Sequence, residues 1–295
     1  MKSHVADYHT RVKCFRIVPQ GVAPVIRLLA YPRSLTMSNG EVYEVEDGYE
    51  DSGYGTTTNF SVSSIDLQGI LDQGAITKDA LDSGVYDNAR VYAFATSWAN
   101  PIEDEEPMGC FMFGQVQTVD DEYTVKLMSL IDVVSQNVGR VYSPGCPWTL
   151  FDKTLDGRVI PPSQSRCTGP RAAPDGPQLE DYLVTGTLTS VTNQSVFFDT
   201  ARTEPDDWFG YGNIQLTSGP NAGLKPMQIK SYAGGRIELL EAFFYLPQSG
   251  DTYEMIPGCR KDPATCRDKY SNKRNFGGQD HVPTASQYSQ VGRGA

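Results

Sequence analysis

The residues best suited to chemistry in this 295-residue sequence are cysteines that lie in loops. Cys259 and Cys266 enclose six residues of a basic stretch that is too short and too polar to form a core. Such a pair is typical of half of a metal or cluster site, so the other half must come from upstream. Cys146 and Cys167 both lie in segments rich in Pro and Gly, which can present sulfur toward a shared point.

The remaining two cysteines have a different setting. Cys14 and Cys110 each lie in an apolar run, where a thiol usually behaves as a small buried hydrophobe. We therefore predict a ligand set of four loop cysteines, Cys146, Cys167, Cys259 and Cys266, and two structural cysteines in strands.

Three interpretations of the four loop cysteines compete. Disulfides are possible because the cysteine count is even, but residues 1–7 lack the apolar core of a signal peptide, and a chain of this length does not need covalent staples. Zinc is compatible with four thiolates, although zinc sites usually use tighter Cys-x2–4-Cys spacings. An iron–sulfur cluster has a larger inorganic core, which tolerates ligands from separate loops.

Charge near the cysteines favours an anionic cluster modestly. Six cations surround the C-terminal pair in an otherwise acidic protein: Arg260, Lys261, Arg267, Lys269, Lys273 and Arg274. On the residues alone, cluster and zinc rank about equally, and disulfide-bonded or unligated cysteines follow closely.

Overall composition excludes several function classes. A net charge of −11 and a pI near 4.8 argue against a general nucleic-acid binder. No apolar run is long enough for a membrane span, so we expect no membrane anchor. His4, His9 and His281 are poorly distributed for a catalytic triad. The acidic pairs Asp206–Asp207 and Glu238/Glu241 read better as an exposed turn and an exposed strand face, and we therefore expect no enzymatic activity.

The pattern of the N-terminal half predicts short strands with a few helices. Asn39-Gly40 is a strong hairpin signal, and the acidic loop 103–106 reads as a solvated tip. Helices are predicted at 64–71, at 77–81 with Thr77 as N-cap, and at 130–138. The predicted strands are 14–19, 25–32, 41–46, 89–98, 111–116 and 122–127.

A second strand-rich unit follows a Pro-rich stretch at 161–177, which reads as a domain boundary. Six strands at 182–188, 195–198, 213–216, 227–231, 236–240 and 252–256 fit a small antiparallel barrel or sandwich. The predicted organisation is a β-domain at 1–143, a Cys/Pro-rich linker at 144–178, a second β-barrel at 179–257 and an irregular segment at 258–295.

Five sequence segments are distinctive when taken together: Ala75–Tyr92, Val141–Cys146, Gly250–Cys259, Cys266–Asn272 and the Asn-Phe-Gly-Gly sequence that begins at Asn275. They resemble tail-tip (baseplate) hub proteins of long-tailed bacteriophages and gene transfer agents, with the phage lambda tail-tip protein L a more distant relative. The resemblance runs from about residue 15 to residue 283 and is most specific at the C-terminus.

This resemblance implies a structural protein of the virion tail tip, made in the bacterial host, with a mainly β fold of two tail-tube-like domains. It implies a homotrimeric ring between the distal tail protein above and a central fibre or tip attachment protein below, with DNA only in transit. It also implies a four-iron (4Fe-4S) cluster on Cys146, Cys167, Cys259 and Cys266. Residues 152–164 resemble an insertion that lengthens the gap between the first two cysteines beyond the family pattern.

A cluster at these positions has a clear structural purpose. It closes chain loops of 21 residues (146 to 167) and 92 residues (167 to 259), and so restrains a C-terminal segment that cannot fold by packing alone. The rival hypothesis is a cytoplasmic four-cysteine module, with zinc or a cluster, that is unrelated to virions.

Overall fold

The computed structural model describes residues 8–20, 23–45, 50–51, 65–70, 76–119, 122–129 and 142–279. The chain divides into two compact units, residues 1–138 and residues 139–295. Its described elements are mainly β-strands, which confirms the predicted fold class. Among the described residues, no helix has the length and apolar character to cross a membrane.

The first unit is built on a seven-stranded antiparallel sheet in the order β2-β1-β7-β8-β9-β6-β5, with a separate β3-β4 hairpin. Its elements are the 3₁₀ helix η1 (Tyr8–Thr10), β1 (Arg11–Val18), β2 (Ile26–Leu29), β3 (Leu35–Thr36), β4 (Val42–Tyr43), β5 (Glu50–Asp51), β6 (Ile65–Ile70), α1 (Lys78–Asp82), β7 (Arg90–Ser97), β8 (Glu106–Val119) and β9 (Glu122–Ser129).

Strand β1 packs on both of its faces, because alternate side chains point to opposite sides of the sheet. Phe15 and Ile17 enter the main core of the unit with residues of β7, β8 and β9. Val12 and Cys14 join a second cluster with Tyr43 of the β3-β4 hairpin. Cys14 is therefore the buried hydrophobe that the sequence predicts, and burial raises its pKa to about 12.

Several local predictions are confirmed in this unit. Thr77 caps α1 by accepting a hydrogen bond from the Ala80 backbone N–H (3.2 Å). Asn39 and Gly40 form the turn between β3 and β4, with Gly40 at φ +86°, in the left-handed region that favours glycine. The predicted pairing of 111–116 with 122–127 is present in the β8-β9 ladder. The predicted helix at 130–138 lies outside the described residues.

The predicted helix at 64–71 is wrong, because most of this segment forms strand β6. Strand β6 pairs with β9 from Ile65 opposite Leu127 to Ile70 opposite Glu122. The sequence Ile-Asp-Leu-Gln alternates apolar and polar residues with a period of two, which is the strand signal, and the ladder with β9 decides between the two readings.

The prediction of a solvated acidic loop at 103–106 is also wrong for two of its residues. Glu103 accepts hydrogen bonds from the Tyr43 hydroxyl and the Asn39 amide (both 2.7 Å) and forms an ion pair with Arg16 (3.1 Å). Burial opposes the charge of Glu103, but these hydrogen bonds keep its pKa below the usual value. Glu105 is buried and accepts from the Thr96 hydroxyl (3.1 Å).

The second unit carries a seven-stranded antiparallel sheet in the order β10-β16-β13-β14-β15-β12-β11. Its elements are α2 (Leu179–Tyr182), β10 (Val184–Thr187), β11 (Ser190–Asn193), β12 (Val196–Phe198), β13 (Asn213–Leu216), β14 (Met227–Ala233), β15 (Arg236–Leu239), β16 (Thr252–Ile256), α3 (Pro263–Asp268) and the 3₁₀ helix η2 (Lys273–Asn275). All six predicted strands are present. The sequence pattern missed β11, and the Pro-rich stretch 161–177 lies inside this unit.

A buried polar pair crosses the core of the second sheet. The Tyr253 hydroxyl donates to Asp199 (2.7 Å), and both side chains are almost completely buried. Burial and this carboxylate raise the pKa of Tyr253 well above its usual value. Asp199 also forms an ion pair with Arg202 (3.4 Å).

Replacing Tyr253 by Phe removes the hydroxyl that donates to Asp199. We expect Tyr253→Phe to lower the free energy of unfolding by about 1–2 kcal/mol, since a buried acceptor loses one of its donors. Urea unfolding of the full chain, followed by tryptophan fluorescence, measures this loss. The matched control is Tyr211→Phe, at a half-exposed position. Equal stability of the two variants would show that the buried pair contributes nothing.

Candidate functional site

All four predicted ligand cysteines lie in the second unit, and all six cysteines of the chain are free thiols. Cys146 and Cys167 lie in loops before α2, Cys259 follows the end of β16, and Cys266 lies on α3. Cys167 and Cys266 are buried, whereas Cys146 and Cys259 are partly exposed. The site therefore has an inner and an outer pair of thiols.

Helix α3 turns Cys266 inward, although the sequence pattern predicts no element there. Asp262 is its N-cap and accepts from the Thr265 backbone N–H (2.7 Å), with Pro263 in the first turn. This hydrogen bond keeps the pKa of Asp262 below its usual value. An Asp-Pro start of this kind is a recognised N-terminal signal, so the short helix was available to sequence reasoning.

Asn272 joins the two inner cysteines. Its side-chain amide donates to the Cys167 carbonyl (2.7 Å) and to the Cys167 sulfur (3.2 Å). The Cys266 thiol in turn donates to the Asn272 carbonyl (3.2 Å). Asn272 is 1% exposed, so this buried residue sets the relative position of loop 165–168 and helix α3.

Lys261 joins the two outer cysteines through its backbone. Its carbonyl accepts from the Cys146 N–H (2.8 Å), and its own N–H donates to the Cys259 sulfur (3.4 Å). Lys261 adopts φ +66°, a left-handed conformation that lets both backbone groups face the cysteines. The Gly277 N–H donates to the Cys146 sulfur (3.4 Å), so three of the four sulfurs accept an N–H from the protein.

Two glycines allow the backbone to approach the site closely. A Cβ on Gly277 would lie 2.0 Å from Nε1 of Trp148, the residue two positions after Cys146. A Cβ on Gly258, which directly precedes Cys259, would lie 1.9 Å from the Tyr211 carbonyl carbon. Any larger residue at either position must displace the chain that carries a cysteine.

The four thiols lie within electrostatic range of one another. Burial and the nearby Cys266, Cys259 and Cys146 together raise the pKa of Cys167 to about 12, against the Asn272 hydrogen bond, which lowers it. Burial also raises the pKa of Cys266 to about 11, with Cys259 and Cys146 adding to the shift. Within the described residues, no three His, Cys, Asp or Glu side chains are grouped closely enough to hold one metal ion.

Most of the six nearby cations are already engaged. Arg260 pairs with Asp207, Arg267 with Asp268, and Arg274 with Asp175. Lys261 donates to the Trp148 carbonyl, and Lys269 donates to the Trp208 and Gly258 carbonyls. Lys273 is exposed. The predicted basic surroundings therefore reduce to three lysines, one of them the exposed Lys273, whose charge no carboxylate pairs among the described contacts.

The acidic residues weighed for catalysis have structural contacts. Asp207 pairs with Arg260, and Asp206 accepts from the Gly234 N–H (3.1 Å). Glu238 accepts from Lys230 (2.5 Å) and from Arg236 (2.7 Å), which lowers its pKa to about 2. Cys110 lies on β8 of the first unit as a partly buried residue.

The donor set fits an anionic metal–thiolate centre. Four thiols converge, and buried thiolates without a compensating cation are disfavoured, as the raised pKa values of Cys167 and Cys266 show. N–H groups directed at the Cys146, Cys167 and Cys259 sulfurs stabilise thiolate charge. These features suit ligands that become charged only when they bind a positively charged core.

Comparison with known proteins identifies the family. The model of the baseplate hub protein N-terminal attachment domain matches residues 1–154, just over half of the chain, and the model of the phage conserved hypothetical protein BR0599 matches residues 207–286. A chain from the virion of a native gene transfer agent (GTA) particle has a TM-score of 0.76 and 25% identity, over 97% of this chain and 93% of that chain. No curated protein matches significantly.

The class defined by these matches is that of structural tail proteins of phages and phage-like particles. The chain belongs to the baseplate hub family. This confirms the resemblance drawn from the sequence, including its assignment to the tail tip.

Sequence reasoning missed the residues that hold the cysteines in place. Asn272 and Gly277 stand within the C-terminal sequence motif, but nothing in their spacing distinguishes a contact to sulfur from an ordinary turn. Lys269 was counted only as one cation among six. Its partly buried position follows from the packing of α3, which the pattern did not predict.

Removing the Asn272 amide should expose the inner thiols. In the apoprotein, Asn272→Ala leaves the buried Cys167 carbonyl without this donor, a loss of about 1–3 kcal/mol in local stability. We expect Cys167 and Cys266 to react faster with N-ethylmaleimide, as measured by peptide mass spectrometry. Lys273→Ala, at the exposed neighbouring position, is the control. Identical labelling rates in the two variants would refute the role given to Asn272.

Proposed function

We propose that this protein forms a trimeric ring at the tail tip, between the distal tail protein and a central fibre or tip attachment protein. We further propose a 4Fe-4S cluster on Cys146, Cys167, Cys259 and Cys266 as a structural clamp. One observation carries the cluster proposal: three separate regions of a baseplate hub chain bring four free thiols together around the C-terminal segment.

The clamp would act where packing is sparse. The 142–183 region joins the sheet through a small apolar cluster in which Phe151, Leu179 and Ile256 are the buried members. The C-terminal segment is attached mainly by polar contacts, including the Tyr270 hydroxyl to the Gly258 carbonyl (2.8 Å). When bound, a cluster supplies positive iron that compensates the thiolates and links all three regions.

One feature favours a cluster over a single zinc ion: N–H groups directed at thiolate sulfur are a means of tuning iron–sulfur centres. Zinc is the alternative, and the metal analysis below distinguishes it from an iron–sulfur cluster.

A structural rather than enzymatic role agrees with the rest of the chain. Of the acidic residues considered for catalysis, Asp207 and Glu238 are held in ion pairs, and Asp206 accepts a backbone hydrogen bond. A net charge of −11 disfavours tight binding of DNA in transit. The loop after β15 exposes Leu240, Phe244 and Leu246, and exposed apolar groups of this size commonly mark protein contacts.

Metal analysis tests the cluster directly. Anaerobically purified protein should contain iron and acid-labile sulfide in equal amounts, about four of each per chain, as the 4Fe-4S composition requires. Dithionite reduction should produce a paramagnetic signal. Ser in place of Cys167 or Cys266 should abolish iron retention, while Cys110→Ser, outside the site, should leave it unchanged.

The same experiment distinguishes the alternatives. Zinc without iron under anaerobic conditions would overturn the cluster and leave a structural zinc site. If the wild-type protein contains neither metal and its stability does not depend on iron, the structural clamp is overturned. Iron loss in Cys110→Ser equal to that in Cys167→Ser would show that the assigned ligand set is wrong.

Solution mass tests the ring. We expect three copies per particle by multi-angle light scattering, since closed rings are the usual result of head-to-tail contacts between identical subunits. The distal tail protein should co-elute when it is added. A chain that stays monomeric across the micromolar range and does not bind the distal tail protein would favour the independent cytoplasmic module. Repeating the measurement with Cys259→Ser separates ring assembly from cluster binding.

A further inference from the structure

Lys269 has an unusual position for a lysine in a protein with a largely acidic surface. Its ammonium is partly buried and donates to the Trp208 carbonyl and to the Gly258 carbonyl (3.0 Å). It also lies 4.8 Å from the centroid of the Trp208 ring and 5.4 Å from that of Tyr270. Two carbonyls and two aromatic rings therefore fix one positive charge in place.

This fixed charge is directed toward the cysteine site. The Gly258 carbonyl belongs to the residue directly before Cys259, and Tyr270 donates to the same oxygen (2.8 Å). The Lys269 ammonium and the Cys259 sulfur interact electrostatically, with Asp207 and Arg260 as the other charged groups nearby. Asp207 and Arg260 pair with each other and so largely cancel.

Burial is unfavourable for the Lys269 charge on its own, and it lowers the pKa of this lysine to about 8. A buried cation held against carbonyls is stabilised when an anion lies near it. The thiolate ligands of a cluster provide that anion. Lys269 is connected to Cys259 through the Gly258 carbonyl and interacts electrostatically with its sulfur.

We propose that Lys269 is a positioning residue for charge, one that stabilises the reduced, more negative state of the cluster bound at Cys259 and so raises its reduction potential. This inference rests on the proposed function, because it requires the cluster to be present. The step concerned is the addition of one electron from an external one-electron donor, with no bond made or broken. A positive charge held close to the cluster favours the state that carries the extra electron.

The other cations are less suited to this role. Arg260, Arg267 and Arg274 each have a carboxylate partner, so their fields are partly cancelled. Lys261 has a comparable ammonium, but its backbone joins Cys146 to Cys259, and its replacement would disturb the ligands themselves. At Lys269 the charge can be removed without changing a residue that hydrogen-bonds to sulfur.

The test is a redox titration of anaerobically purified protein, followed by electron paramagnetic resonance, with iron per chain measured on each sample. Lys269→Met removes charge and hydrogen bonds, whereas Lys269→Gln removes charge but keeps an amide donor for the carbonyls. Lys225→Met removes the same charge at an exposed position between β13 and β14. We expect both Lys269 variants to lower the reduced-to-oxidised ratio roughly tenfold at a fixed potential, which is about 59 mV for one electron.

The outcomes separate this inference from the proposed function. A wild-type protein without iron overturns the cluster itself. A wild-type cluster whose potential is unchanged in both Lys269 variants overturns only the role of Lys269, and so does a shift of equal size in Lys225→Met. If Lys269→Met loses its iron, Lys269→Gln decides: a wild-type potential there means that hydrogen bonding, not charge, is what Lys269 contributes.

Discussion

The burial of thiols beside one another is the constraint on which the C-terminal end of this protein depends. Cys167 and Cys266 lie where burial disfavours a thiolate, and neighbouring cysteines add to that cost: Cys266 for Cys167, and Cys259 for Cys266. Neutral thiols can be buried side by side, but they attract one another only weakly. The four sulfurs therefore stabilise the C-terminal end fully only when a positively charged centre binds them as thiolates.

The polar groups around the sulfurs are arranged for that charged state. Asn272, Lys261 and Gly277 each direct an N–H at a sulfur, and hydrogen bonds of this kind are stronger when the acceptor is charged. These donors come from the C-terminal segment itself. Binding at the sulfurs and ordering of the segment are thus one event, because the segment supplies both ligands and donors.

The sequence could supply the candidate ligands of this site, because a cysteine is recognised as a possible ligand from its residue type and its neighbours in the chain. The four candidate ligands, the buried Cys14 and most of the strands follow from composition and period-two patterns, although Cys110 is only partly buried and Cys266 lies on a helix. The errors have a common physical source. Glu103 looks solvated until strands β1 and β2 bring Arg16 and Arg27 to it, and Glu105 until β7 brings the Thr96 hydroxyl. Strand β6 looks helical until β9 supplies its ladder. Such partners are distant in sequence, so no local pattern contains them.

The long gap between Cys146 and Cys167 illustrates the same point. Residues 153 and 159 form an isolated antiparallel bridge, so the segment between the two cysteines folds back on itself. Cys167 is positioned instead by Asn272 and by the Thr168 carbonyl, which accepts from the Asp175 and Gly176 N–H groups (both 3.1 Å). These contacts lie outside residues 152–164, so the position of the sulfur does not depend on them alone. The spacing between ligands in sequence is therefore a weaker guide to this site than the residues that hold each ligand in place.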